Sequence, residues 1–156
     1  MTSFLLKLVA LITMTIDHIG MFIFPGNPIF RIIGRIAFPI FAFLIVEGYK
    51  HTKSFPKYVT RILVLGVISQ ILFFIFLKET TLNILFTLGI ALLALKSFEK
   101  KEYIITLLLI YLSIICDYPL YGIILILLFY ILRNNFLYTS LSFLLLNFIF
   151  INILKL

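Results

Sequence analysis

From Phe4 to Leu154 the sequence is a succession of long apolar runs, each ended by a short cluster of charges, prolines, glycines or asparagines. The runs are continuous rather than alternating, and most approach the roughly 20 residues that a helix needs to cross a bilayer. They are far too long for the strands of a membrane barrel, which run to about 10 residues. With 63% hydrophobic and 12% charged residues, the 156-residue chain carries more apolar surface than a water-soluble fold of its size could hide. The reading is therefore all-α: a polytopic transmembrane helical bundle of about seven helices, forming a single integral membrane domain over residues 1–156.

The first run extends from about Phe4 to Phe24 and stops at Pro25-Gly26-Asn27-Pro28. Lys7 ahead of an apolar core imitates a signal peptide, but no small-residue cleavage site follows, so the segment reads as a retained helix. A second run, from near Arg31 through Ile45, contains Pro39, which should kink it. Glu47 to Tyr58 reads as a polar, basic connection, and the third helix as Val59 or Arg61 to Leu77. After Lys78-Glu79 a fourth runs from about Thr81 to Leu95, and Lys96 to Glu102 forms another charged connection. The fifth, from Tyr103, stops at Asp117-Tyr118-Pro119, and the sixth, from Leu120, at Arg133-Asn134-Asn135. Both are short enough to be partly re-entrant. The last spans Phe136 to Leu154.

The net charge of +7 does not point to nucleic acid, because the basic residues sit in the connections, as topology signals do. With the amino terminus cytoplasmic and every helix crossing, nine Lys and Arg fall inside: Lys7, Lys50, Lys53, Lys57, Arg61, Lys96, Lys100, Lys101 and Arg133. Four fall outside: Arg31, Arg35, Lys78 and Lys155. This bias predicts a multi-pass protein of the cell (inner) membrane with its amino terminus in the cytoplasm. The single cysteine, Cys116, excludes an intramolecular disulfide and a multi-cysteine metal site, and no metal is expected.

An ionisable side chain inside a membrane helix is costly unless paired or wetted, which makes it a functional candidate. Of six acids, Glu79, Glu99 and Glu102 lie beside lysines in connections and are given no role, leaving Asp17, Glu47 and Asp117. Asp17-His18 lies past the middle of the first helix. Imidazole exchanges protons near neutrality, and a carboxylate can orient or charge it. The alternative is a hydrogen-bonding pair that pins helices together. Arg31 and Arg35, four apart, face the same way and suit a phosphate or carboxylate, or else ion pairs to Asp17 and Asp117. Glu47 also suits a wet helix end, and Gln70, Asn83 and Thr87 suit interhelical hydrogen bonds. Lys50, Lys53, Lys57 and Arg61 serve topology first, and could attract an anionic cofactor to the cytoplasmic face. In this topology Asp17, His18, Arg31, Arg35, Asn83, Asp117 and Tyr118 share the outer half of the membrane, which predicts an outward-opening polar cavity.

The wording of these motifs resembles the TraX family, named for a conjugative-pilus protein that acetylates the amino terminus of pilin. The resemblance rests on Asp17-His18-Ile19-Gly20, on Arg31 with the run Gly34 to Phe43, and on Glu47-Gly48-Tyr49 and His51-Thr52. It continues through Lys57-Tyr58-Val59-Thr60-Arg61, Asn83 to Thr87, Asp117-Tyr118 and Tyr121-Gly122. It implies transfer of an acyl group, acetyl above all, from acetyl-CoA to an amine or hydroxyl acceptor such as a pilin-like amino terminus. In that scheme His18 is the general base, oriented by Asp17 or Asp117, and Arg31 and Arg35 hold anionic donor groups or the developing oxyanion. Glu47, Tyr49, Asn83 and Tyr118, which stand in the same motifs, complete the implied substrate- and cofactor-binding set. The chain is shorter than typical pilus members, so the closing region is expected to be either missing or supplied by a second copy. Two rival readings are a small transporter or channel built on the Asp17, His18 and arginine cluster, and a non-catalytic assembly factor for a surface appendage.

Overall fold

In a computed structural model of the chain, the described residues are 3–24, 26–77 and 81–154. Pro25, Lys78, Glu79 and Lys155, which entered the reading of breakers and topology, lie outside them. The fold is an all-helical membrane bundle. The helices are α1 (Ser3–Ile23), α2 (Pro28–Gly34), α3 (Ala37–His51), α4 (Phe55–Leu77), α5 (Ile84–Glu99), α6 (Tyr103–Leu112), α7 (Pro119–Leu132) and α8 (Phe136–Leu154). A 3₁₀ turn, Ser113–Ile115, follows α6. Three segments are long and apolar enough to cross a membrane: Ser3–Ile23, Pro28–His51 (α2 and α3 together) and Phe55–Phe76. Large apolar side chains on α4, among them Val64, Leu65, Ile68, Leu72 and Phe76, are more than half exposed, as a lipid-facing surface requires.

Boundaries differ from the sequence reading: α5 takes in Lys96–Glu99 of the expected charged connection, and three others differ, each for a local reason. The second span starts earlier, at Pro28, because Asn27 caps it: its side chain accepts a hydrogen bond from the Ile29 amide (3.0 Å), and Pro28 fills a position whose N–H would be unpaired anyway. That span is also broken rather than kinked. Pro39 sits in the first turn of α3, so the backbone gives way four residues upstream, at Arg35-Ile36, where the proline ring would meet a carbonyl. The basic connection shrinks to Thr52–Ser54, since α3 continues through Gly48 to His51 and α4 begins at Phe55. Polar residues and one glycine lower helix propensity without ending a helix, and Pro56 in the first turn of α4 costs no hydrogen bond.

The chain forms two compact units, residues 1–48 and 49–156. In the first, α1 and α2 pack closely as a hairpin. Small residues set their spacing. A Cβ at Gly20 would run into Phe30, and one at Gly34 into the side chain of Asp17. In the second unit α5 is central and packs against α4, α6 and α7, while α8 packs on α7. Ala91, Leu92, Ala94 and Leu95 of α5 are fully buried. Gly89 lets α4 approach, since a Cβ there would come within 2.6 Å of Leu63.

Helices α5 and α7 run parallel, because both start from a single parallel β-bridge between Leu82 and Cys116. Leu82 donates to the Ile115 carbonyl (3.0 Å) and Asp117 donates back to the Leu82 carbonyl (2.8 Å). Tyr118 then takes a left-handed conformation (φ 50°), which turns the chain into Pro119 and α7.

Candidate functional site

The polar residues singled out in the sequence are divided between the two units, Asp17, His18, Arg31, Arg35 and Glu47 in residues 1–48 and Tyr49, Asn83, Asp117 and Tyr118 in residues 49–156. In residues 1–48, Asp17 and Arg31 form an ion pair between α1 and α2, with Oδ2 of Asp17 3.3 Å from Nη1 of Arg31. The absence of a side chain at Gly34 makes room for the Asp17 carboxylate against the α2 backbone. Among the described residues, only Nη1 of the Arg31 guanidinium is engaged, which leaves most of its fork of donors without a partner there. Arg35, the exposed C-cap of α2, has no ion-pair partner among the described residues.

His18 is half-buried, and its Nδ1 lies 2.8 Å from the Met14 carbonyl one turn back. A carbonyl only accepts, so Nδ1 carries the hydrogen; when the ring is neutral, Nε2 keeps its lone pair. That is the tautomer a general base needs. Glu47 is half-buried on α3.

In residues 49–156 there are two polar clusters, one at each end of the α5–α7 pair. At the amino-terminal end, Asn83 caps α5 and is 3% exposed. Its Oδ1 accepts from the Leu85 amide (3.0 Å) and its Nδ2 donates to the Gly66 carbonyl (2.9 Å). Gln70 closes the circuit, accepting from the Asn83 amide (2.7 Å) and donating to the Thr81 carbonyl (3.0 Å). Asn83 and Gln70 thus tie α4 to the start of α5. Thr87 donates to the Asp117 carbonyl, and Asp117 Oδ1 accepts from the Tyr118 amide (3.1 Å). Asn83, Thr87, Asp117 and Tyr118 are therefore brought together, largely through backbone atoms.

The other end holds a cluster that sequence reasoning missed. Glu99, the last residue of α5, accepts from Tyr130 of α7 (2.6 Å), from Tyr49 of α3 (2.5 Å) and from Lys50 (3.3 Å). Lys50 also donates to the Tyr130 hydroxyl (2.8 Å), with its ammonium 4.2 Å from that ring's centre. In sequence Glu99 sits among lysines beyond the apolar run, although it belongs to the last turn of α5. Hydrogen bonds from Tyr130, then Tyr49 and Lys50, hold its carboxyl down at about 2, against burial that pushes the other way. The Tyr49 ring meets Phe55 edge-on (5.6 Å), and Lys96 Nζ lies 4.1 Å from the Phe55 ring centre. Tyr49, expected at a binding site, is thus part of a four-residue clasp. Nothing local in the sequence pairs Glu99 with residues 49, 50 and 130.

The TraX protein family profile matches residues 3–155, nearly the whole chain. The chain belongs to the TraX family. Among curated proteins, an uncharacterized protein of Rickettsia prowazekii is 49% identical over 85 residues, covering 54% of this chain and 32% of the relative. The "Probable fimbrial assembly protein FimC, serogroup H1" of Dichelobacter nodosus is 33% identical over 148 residues, covering 79% of this chain and 59% of the relative. The chain thus spans less than two thirds of the length of either of these relatives. No solved structure matches. Among the described residues, no group of three or more His, Cys, Asp or Glu side chains is arranged to hold a metal.

Proposed function

We propose that this TraX-family protein is a pilus-related acyltransferase of the inner membrane. It moves an acyl group, acetyl above all, from acetyl-CoA to an amine or hydroxyl acceptor such as the amino terminus of a pilin-like protein. The observation that carries the proposal is the 2.8 Å contact between His18 Nδ1 and the Met14 carbonyl, which assigns the hydrogen to Nδ1 and the role of base to Nε2, one residue from the Asp17 carboxylate. In the reaction, the acceptor's N–H or O–H proton passes to Nε2. The new bond to the acyl carbon forms as the C–S bond breaks, and the departing thiolate takes the proton from the imidazolium. Arg31, engaged through one nitrogen, and Arg35 are suited to anionic donor groups. The fimbrial-assembly name of one relative supports the link to pili.

The test has two stages. Intact masses of pilin-like proteins are compared between cells with and without this protein, and a mass gain of one acetyl group identifies the acceptor. The purified protein is then assayed with acetyl-CoA and that acceptor. His18→Ala should leave a folded protein and lower the rate by about 10²–10⁴-fold, the usual contribution of a general base. A folded His18→Ala protein that transfers at the native rate refutes the reading.

A non-catalytic assembly factor is the second reading, favoured by the same relative's name and by Asp17 already being paired with Arg31. In that case His18→Ala would support full appendage assembly without any acylated product.

A further inference from the structure

We propose that the junction of α3 and α4 is a phosphate-binding site. A pocket of about 270 Å³ opens there, lined by Thr52, Lys53, Ser54, Lys57, Tyr58 and Arg61. Three of its six lining residues are cations and none is an acid. Among the described residues, none of Lys53, Lys57 and Arg61 forms an ion pair, so no described acid compensates their charge. An open pocket with this charge selects an anion, and an arginine with two lysines suits the several oxygens of a phosphate ester.

The surroundings add to the field instead of cancelling it. Lys96 extends its ammonium over Phe55, in the first turn of α4. Of the acids near that end of α5, Glu99 is already surrounded by Tyr130, Tyr49 and Lys50, and Glu102 is paired with Lys100 (3.9 Å). The clasp also fixes the last turn of α3, from which the Thr52–Ser54 loop leaves. Within that loop the Thr52 hydroxyl is tied to Ser54, donating to its carbonyl (3.3 Å) and accepting from its amide (3.4 Å). The pocket therefore has a braced floor. Its position sets the class of ligand. The crossing segments Pro28–His51 and Phe55–Phe76 end and begin on either side of it, so it lies at the bilayer–water surface.

Two sources of phosphate reach that level: the headgroup of an anionic lipid, and the phosphates of a soluble donor. The second rests on the acyl-transfer reading. The first stands without it.

The full chain is placed in nanodiscs, and thermal unfolding is followed with two probes: pyrophosphate added to phosphatidylcholine discs, and discs containing phosphatidylglycerol in place of part of the phosphatidylcholine. The pocket variant is Lys57→Gln/Arg61→Gln. The control, Lys100→Gln/Lys101→Gln, removes the same charge from the other basic connection. A soluble phosphate site predicts that pyrophosphate stabilises the wild type and the control alike, with half-saturation at least about tenfold higher in the pocket variant. A lipid site predicts that phosphatidylglycerol stabilises the wild type and control but not the pocket variant, and that pyrophosphate acts only by displacing it. Restoring the charge with Lys57→Gln/Arg61→Lys should recover part of the response. Equal responses from wild type and pocket variant to both probes overturn the proposal. So does a control that loses as much as the pocket variant. Phosphate binding without acyl transfer refutes the proposed enzyme activity and leaves the site standing.

Discussion

Glu99 accepts the hydroxyl hydrogen of Tyr130 at 2.6 Å, joining the last residue of α5 to the carboxyl-terminal half of α7. Two more donors, Tyr49 and Lys50, converge on the same carboxylate. Glu99→Gln keeps the shape but loses the charge that strengthens all three bonds. The site is 46% exposed, so solvent screens much of the effect, and the expected loss is about 1 kcal/mol of unfolding free energy. Denaturant unfolding of the two proteins in the same detergent measures it.

The depressed acidity of Glu99 gives a pH signature. Its folded value of about 2 lies below the ordinary value of 4.5. The clasp's charge-dependent stabilisation is therefore fully present above about pH 5 and is lost as pH falls through 4 toward 2. The stability difference between wild type and Glu99→Gln should shrink over that interval. A difference that stays constant down to pH 2 would mean that the carboxylate charge contributes nothing.

Gly34→Ala places a methyl group against the side chain of Asp17. Overpacking there should cost about 1–3 kcal/mol and disturb the Asp17–Arg31 pair. Gly26→Ala, which meets nothing within 4 Å, should be neutral. Unfolding curves for the two variants distinguish a packing effect from a general intolerance of alanine.

The Asp17–Arg31 pair can be separated from catalysis. A double-mutant cycle with Asp17→Asn and Arg31→Gln should give a coupling of about 0.5–1 kcal/mol in stability, typical of a partly exposed pair. In the acyl-transfer assay Asp17→Asn should lose less than His18→Ala, since the imidazole and its bond to Met14 remain. Arg35→Lys should fall sharply, because an ammonium cannot reproduce a fork of donors. Equal losses for Asp17→Asn and His18→Ala would point to a shared structural role.

Orientation can be read with a thiol. Ser54→Cys in the loop between α3 and α4 should resist a membrane-impermeant reagent in intact cells and react once the membrane is opened, if the basic loop is cytoplasmic. The native Cys116 is 3% exposed and adds little background. Ready labelling in intact cells would invert the topology.

The membrane bundle was legible because lipid imposes long apolar runs, and the stops at Asp117-Tyr118-Pro119 and Arg133-Asn134-Asn135 are local chemistry that a reader can see. Less visible was the extension of α3 to His51, because a polar last turn looks the same in sequence whether it is helix or loop. Asp17 and Arg31 were foreseen as one possible ion pair, since few partners exist for a charge at that depth. Glu99 was not foreseen. Its lysine neighbours suggested a solvated connection, whereas its partners Tyr49, Lys50 and Tyr130 come from two other helices. Contacts at that sequence separation leave no periodic trace along the chain.

The Leu82–Cys116 bridge at one end of α5 and α7 and the Glu99–Tyr130 bond near the other have a mechanical consequence. Two parallel rods fastened at both ends can bow or turn together, but one cannot slide along the other without breaking a fastening. Shear, the cheapest motion available to packed helices, is closed to this pair. Its length, about 24 Å for the 16 residues of α5, makes it a stiff spar against which α4, α6 and α8 pack. A load applied at the Asp117 end would be felt at the Glu99 end.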